Sequence, residues 1–416
     1  MPFMPFQILG FWLRGLLAAA MLVAGPLLLK YWYDHRHVEV RTQVLAPVDD
    51  ETRRLDRDVE APVVVRREDW RFGLNRETAA LLGGLALIGL SIGGGSFAYP
   101  LLLKRGRRED EPDDSLRGQM RRLRRPDGTD LYVELYGPED GPPIVLTHGW
   151  GADAAEWCYA KRELGDAHRL ILWDLPGLGR SSQPTGRDYS LEKMARDLDA
   201  VVGLAGDAPV TLLGHSIGGM IILTYCRLFP EALGTRVSGL VLAQTTYTNP
   251  VKTTSHAAFY TAVQKPLIEP LLHLTIALAP LVRAMNVLSY LNGSAHRSTH
   301  KDSFSGNETR GQLDFMARYM PKGPPAVLAR GMFGMLRYDA TDTLASIPVP
   351  ALIVPGGRDP VLLPSASAKM AEAIPGATLL ELEGAKHAGL FEYHARFADA
   401  VRRFVAATAV APGSRR

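Results

Sequence analysis

Cysteine is scarce in this chain. Only Cys158 and Cys226 occur among 416 residues, in neither C-x-x-C nor metal-type spacing, so a disulfide framework is excluded and both read as small buried apolar residues. An excess of charge is missing as well. The 47 basic side chains are offset by 44 acidic ones, leaving +3, so nothing favours a polyanion and nucleic acid is not an implied partner. No motif for a metal or an organic cofactor is present, and nothing in the composition indicates an oligomeric state.

Long apolar runs, by contrast, are present. Ile8 to Leu29 is apolar apart from Arg14, and Ala79 to Leu103 carries no charged side chain. A helix crossing a bilayer core needs about 20 apolar residues, and both runs reach that length. Each also admits a bland reading as a buried core helix, and the first a reading as a cleaved signal peptide. Charges at both ends of the second run, Arg76 and Glu77 before it and Lys104, Arg105, Arg107 and Arg108 after it, argue against burial in a core. Near Gly25-Pro26 there is no small-x-small cleavage site, and Arg14 would snorkel to the membrane surface.

The expectation is therefore a membrane anchor over residues 1–104, with spans at about 8–29 and 79–103 and a loop over 30–78. Within the second span, Gly89 and Gly93 have the small-xxx-small spacing that would let it pack closely against the first, and flexible glycine-rich filler is an equal reading of the same residues. Basic residues flanking the second span and those in the loop balance in number; the dense cluster from Lys104 to Arg108 favours both termini, and the domain that follows, in the cytoplasm. The loop contains two β-like pieces, Val38 to Val44 and Pro62 to Val65, and its role is open.

A charged stretch with Pro112 and Gly118 reads as a linker over 105–123. Beyond it, short apolar strands alternate with amphipathic helices, a rhythm that implies a mostly parallel sheet covered on both faces. Strands are expected at Leu131–Tyr136, Ile144–Thr147, Leu170–Trp173, Val210–Leu213, Leu240–Ala243, Ala351–Val354 and Thr378–Leu382. Helices are expected at Ala154–Leu164, Leu191–Val202, Ile217–Leu228, Ser365–Ile374 and Ala395–Val405. The expected domains are a core in two parts, 124–247 and 337–408, a helical cap inserted over 248–336, and a tail over 409–416.

The pattern turns on Val210 to Gly219. A strand runs into Gly214-His215-Ser216-Ile217-Gly218, and a helix follows at once, which is the context of a G-x-S-x-G nucleophile elbow. Gly214 and Gly218 lack the Cβ atoms that would collide where strand and helix cross. Ser216 is the candidate nucleophile. A neutral hydroxyl needs a base, and the base needs a partner that fixes its tautomer. His387, in a turn after the last expected strand, is the candidate base, and Asp359, in the turn after Ala351–Val354, the candidate acid. Asp339 and Asp342 compete but precede their strand. His215 and Asp174 read as structural, His394 as a solvated residue on a helix face, and the His148-to-Asp153 spacing as a coincidence with an acyltransferase signature.

Four motifs in this order, His148-Gly149-Trp150-Gly151, Asp174 to Ser181, the elbow at Ser216, and Gly356 to Pro360 with Gly384 to His387, resemble those of the α/β-hydrolase family over about Arg124 to Val405. The chain order Ser216, Asp359, His387 is the order of that fold. The resemblance implies an oxyanion hole at the backbone N–H groups of Trp150 and Ile217, with the Trp150 side chain walling the acyl pocket. A serine at the elbow, where dehalogenases and epoxide hydrolases of the fold have aspartate, implies acyl transfer. The reading is a membrane-anchored serine esterase or lipase acting on a small-molecule ester, the apolar cap from Phe259 to Leu288 contributing to the substrate site and pointing to a lipid ester of monoacylglycerol type. Carbon–carbon or amide hydrolysis, acyl transfer, and a non-catalytic ligand-binding role stay open at this point.

Overall fold

From residue 130 onward the short apolar runs rich in Val, Ile and Leu fold as strands of one sheet. The computed structural model of the chain describes residues 8–35, 38–44, 64–70, 75–102 and 110–409, together with Pro5. The basic cluster at 104–108, the start of the linker, the loop over 45–63 and the tail from 410 lie outside the described residues. Two compact units form: Met1–Leu16 with Gly93–Arg416, and Leu17–Ile92.

Helices α1 (Ile8–His35) and α2 (Arg76–Leu102) frame a two-stranded antiparallel ribbon of β1 (Val38–Val44) and β2 (Val64–Trp70) in sequence. Both helices are long and apolar enough to cross a membrane. The close approach expected at Gly89 occurs elsewhere. A Cβ at Gly89 would meet nothing within 4 Å, whereas one at Gly84 would lie 2.9 Å from the Gly25 carbonyl oxygen. Spacing along one helix does not reveal which of its faces meets another; Gly25 and Gly84 are on the faces that do.

The first unit holds an eight-stranded sheet in the order β10, β9, β8, β7, β5, β6, β4, β3. Its members are β3 (Gln119–Arg124), β4 (Asp130–Tyr136), β5 (Pro143–Thr147), β6 (Arg169–Trp173), β7 (Val210–His215), β8 (Val237–Ala243), β9 (Ala351–Val354) and β10 (Thr378–Leu379). From β6 to β10 all neighbours are parallel, while β3 and β4 are antiparallel. Fully buried Val, Ile and Leu fill β5, β6 and β7, as strands covered on both faces require.

Helices α3 (Cys158–Leu164), α4 (Leu191–Val202) and α5 (Ile217–Leu228) belong to the first half of the core. Between β8 and β9 comes the cap, α6 (Ala257–Val263), α7 (Glu269–Ala277), α8 (Ala279–Leu291), α9 (Ser294–Ser303), α10 (Arg310–Ala317), α11 (Tyr319–Lys322) and α12 (Pro325–Leu336). Helices α13 (Pro364–Ala373), α14 (Gly389–Glu392) and α15 (His394–Ala409) complete the chain's second half. Two expectations need correction. The linker read as ending at 123 instead contributes β3, whose outward side chains are nearly all charged or exposed and so carry no strand signal. Thr378–Leu382 is a strand for two residues only, with Leu382 bridging Gly356.

Candidate active site

The elbow is built from sterics. Ser216 sits at φ 56°, a left-handed conformation held between β7 and α5, and its N–H donates to the Ala243 carbonyl at 3.0 Å. A Cβ on Gly214 would overlap the Gly218 backbone, and one on Gly218 would overlap the Thr147 carbonyl, so both positions require glycine. Thr245 fixes the elbow from the next strand end, its hydroxyl donating to the Ser216 carbonyl at 2.6 Å.

Three distant side chains meet there. The Ser216 hydroxyl lies 3.1 Å from His387 Nε2, and His387 Nδ1 lies 2.7 Å from Asp359 Oδ2. The other Asp359 oxygen accepts from the backbone of Val361 at 2.8 Å and Leu362 at 3.1 Å, which leaves one lone-pair side for the imidazole. Each follows the carboxyl end of a parallel strand, β7, β9 or β10, and each is about 1 % exposed. Burial lowers the His387 pKa from the ordinary histidine value, and the nearby Asp359 carboxylate only partly offsets this. A neutral imidazole between a hydroxyl and a carboxylate can take a proton from the first while the second fixes its tautomer.

The Trp150 N–H lies in the loop after β5 and the Ile217 N–H at the first turn of α5. Among the described residues neither donates to a backbone acceptor. The Trp150 indole is buried, donates to the Leu328 carbonyl of α12 at 3.0 Å, and lies edge-on to Tyr189. A Cβ at Gly331 would overlap that indole ring, so the cap helix is cut away to receive it.

Below the elbow runs a second network. Glu156 is completely buried, accepting from the Gly149 N–H at 2.7 Å and facing His215 Nδ1 at 3.0 Å. His215 Nε2 in turn donates to the His387 carbonyl at 3.0 Å. Burial pushes the Glu156 carboxyl up, but His215 and the Gly149 N–H bring it below the usual carboxylate value. The structural reading of His215 fits this position. Sequence reasoning missed Glu156, because Asp153-x-x-Glu156 has capping-box spacing and that local role accounts for a glutamate without calling on the interior.

Other expectations find their places. His148 Nε2 accepts from the Leu175 N–H at 3.0 Å, while Asp153 caps the turn at Ala154–Trp157 and accepts from Tyr319, so the two residues serve different loops. Asp174 joins the loops by accepting from Ala154 at 2.6 Å and Arg180 at 2.7 Å, its pKa pushed up to about 6 by burial. Asp339 is engaged by Thr248 and Thr341, and Asp342 is exposed. His394 is a correction: rather than standing in solvent, it stacks on Tyr159 at 4.3 Å and pairs with Glu163. The α15 face it occupies is covered by α3, which lies 230 residues earlier and is invisible to helix periodicity. Next to the Gly151–Ala155 turn the cap residues Arg283, Tyr319 and Lys322 line a cavity of about 420 Å³. Among the described residues no group of three or more His, Cys, Asp or Glu side chains is arranged to hold a metal ion.

A largely parallel sheet with Ser, Asp and His following its strand ends in that order defines the α/β-hydrolase class. The family described as alpha/beta hydrolase fold matches residues 142–393, more than half of the chain, and this protein belongs to it: it is a hydrolase of that fold. It is 29 % identical over 282 residues to the pimeloyl-[acyl-carrier protein] methyl ester esterase of Aeromonas salmonicida, covering 66 % of this chain and 99 % of that one. It is 28 % identical over 268 residues to the putative carbamate hydrolase RutD of Azorhizobium caulinodans, covering 62 % and 88 % respectively. Among solved structures, the esterase EaEST of Exiguobacterium antarcticum is similar at 25 % identity and a TM-score of 0.55, covering 69 % of this chain and 99 % of that one.

Proposed function

We propose that the protein is a membrane-anchored serine hydrolase that cleaves carboxylic esters through an acyl-enzyme on Ser216. The observation that carries the reading is the continuous contact from the Ser216 hydroxyl through His387 to Asp359, at 3.1 Å and 2.7 Å. In this reading Ser216 Oγ attacks the ester carbonyl as His387 Nε2 takes its proton. Charge on the carbonyl oxygen is stabilised by the Trp150 and Ile217 N–H groups. The tetrahedral centre then collapses, the alcohol leaves with the proton from His387, and Ser216 carries the acyl group. Water, deprotonated by the same imidazole, attacks that acyl group and releases the carboxylic acid and the serine.

Membrane anchoring is supported by the length and apolar composition of α1 and α2. The dense basic cluster from Lys104 to Arg108 favours termini on the cytoplasmic side. An esterase relative argues for ester substrates, and the apolar cap beside an anchor favours a hydrophobic acyl chain of monoacylglycerol type.

The test is labelling of the full-length protein in membranes with a fluorophosphonate probe. Labelling lost on Ser216→Ala and cut roughly ten-thousandfold in rate by Asp359→Asn is the expected outcome; a folded wild-type protein that ignores the probe would sink the proposal. A series of nitrophenyl esters then separates acyl-chain classes: turnover should rise from acetate to long chains, and best turnover of acetate would remove the lipid reading alone.

A further inference from the structure

The cap carries a corner that is apolar on its outside. Among the described residues beyond 110, eight large apolar side chains stand exposed; six of them, Phe259, Leu274, Leu278, Leu281, Val287 and Leu291, lie between α6 and the end of α8, and only Met120 and Leu379 lie elsewhere. On α8, Leu281, Ala284, Val287 and Leu291 share one exposed stripe at helical spacing. The two arms, Ala257–Ala277 and Ala279–Leu291, meet at 98°, and no charged side chain occurs from Leu274 to Val282. A contiguous exposed apolar surface of this kind marks a docking site, for a partner or for lipid.

What lies next to it identifies the occupant. Trp12 and Gly15, at i and i+3 of α1, turn one face toward this corner. The Trp12 indole donates to the Thr275 hydroxyl of α7 at 3.1 Å, and a Cβ at Gly15 would overlap the Met285 methyl of α8. Leu13 and Leu16, on the other side of the same turns, are exposed. The outward apolar surface of the corner is therefore continuous with that of the first turns of α1. Alone, α8 does not cross a bilayer: its 13 residues, at about 1.5 Å each, reach about 20 Å, short of a hydrocarbon core of about 30 Å.

The geometry points to the α7–α8 corner as a bilayer-docking element: its tip, Leu274 to Leu281, sits among the headgroups and upper acyl chains of the leaflet that α1 enters. This rests on the reading of α1 as a membrane span and adds a second, interfacial contact made by the cap itself. A cap held in the leaflet by one face would present the entrance of the site to single-chain esters that never leave the lipid phase.

The experiment uses the full-length protein in vesicles of phosphatidylcholine and phosphatidylglycerol, with an environment-sensitive fluorophore at Leu278→Cys, Leu281→Cys, Val23→Cys in α1, or Met120→Cys on the edge strand β3. The two native cysteines are buried, and their thiols are pushed up to about 12, so they stay unlabelled. Retained fluorophosphonate labelling verifies that each variant is folded. Lipids brominated near the headgroup end of the acyl chain should quench most of the emission at 278 and 281, and leave position 120 bright. Quenching at 23 with none at 278 or 281 overturns the docking proposal and leaves the anchor reading standing. No quenching at 23 overturns both. Emission at 278 that ignores brominated lipid but changes with the protein-to-lipid ratio assigns the corner to a second copy of the chain and overturns the proposal as well.

Discussion

Glu156 and His215 face each other at 3.0 Å with no access to water, and the far nitrogen of the same imidazole meets the main-chain carbonyl of His387. Both nitrogens of His215 thus look at acceptors. The two side chains form one buried, hydrogen-bonded pair. It ties the loop carrying Trp150, through the Gly149 N–H, to the loop carrying His387.

Removing one member of a buried pair leaves the other uncompensated, so Glu156→Ala should destabilise the fold by about 3–5 kcal/mol and lower kcat with little change in KM. Glu156→Gln differs in an informative way. Its amide can accept from Gly149 and donate to a neutral His215, whose Nε2–H still reaches the His387 carbonyl, so most of kcat should return. Thermal unfolding and steady-state kinetics of the two variants check this; equal kcat loss in both would show that charge rather than positioning is what matters.

The pH profile should reflect the burial of His387. Only the neutral imidazole accepts the serine proton, and its folded-state pKa lies below the ordinary value of about 6.5. The acid limb of kcat/KM should accordingly fall below that value. Stability follows the same group: the unfolded chain binds the proton more readily, so this contribution is fully present above the unfolded pKa and is lost as the pH drops toward the folded one. Because Asp359 raises the His387 pKa, the residual activity of Asp359→Asn should show its limb at still lower pH. A limb above the ordinary histidine range would contradict the assignment of His387 as the base.

A third prediction concerns the contact between cap and core. Any side chain at Gly331 collides with the Trp150 indole, so Gly331→Val should displace the ring from the Leu328 carbonyl and cost about 1–3 kcal/mol of overpacking strain. If Trp150 walls the acyl pocket, chain-length preference among esters should shift as well. Unchanged stability and preference would mean that the cap rides free of the ring.

Much of this was readable along the chain because its causes are local. Helices α4 and α5 lie where the apolar spacing puts them, at Leu191–Val202 and Ile217–Leu228, and β9 at Ala351–Val354 is marked by its own run of apolar residues. The glycines around Ser216 announce the elbow because steric exclusion acts between neighbours in sequence. Even the serine, acid and histidine could be named, since each follows a recognisable strand, although their convergence across 171 and 28 residues is a property of the sheet.

The sequence by itself determined the alternation of strands and helices, the two long apolar runs, and the residue types able to do acyl-transfer chemistry in this order. Tertiary structure alone decided which groups lie opposite one another: Glu156 under His215, Gly84 rather than Gly89 of the second helix against Gly25 of the first, β3 paired at the sheet edge, His394 stacked on Tyr159, and Trp12 on the cap. Periodicity and capping signals arise from contacts within one turn or one strand pair, whereas these pairings depend on how separate elements are brought together in space.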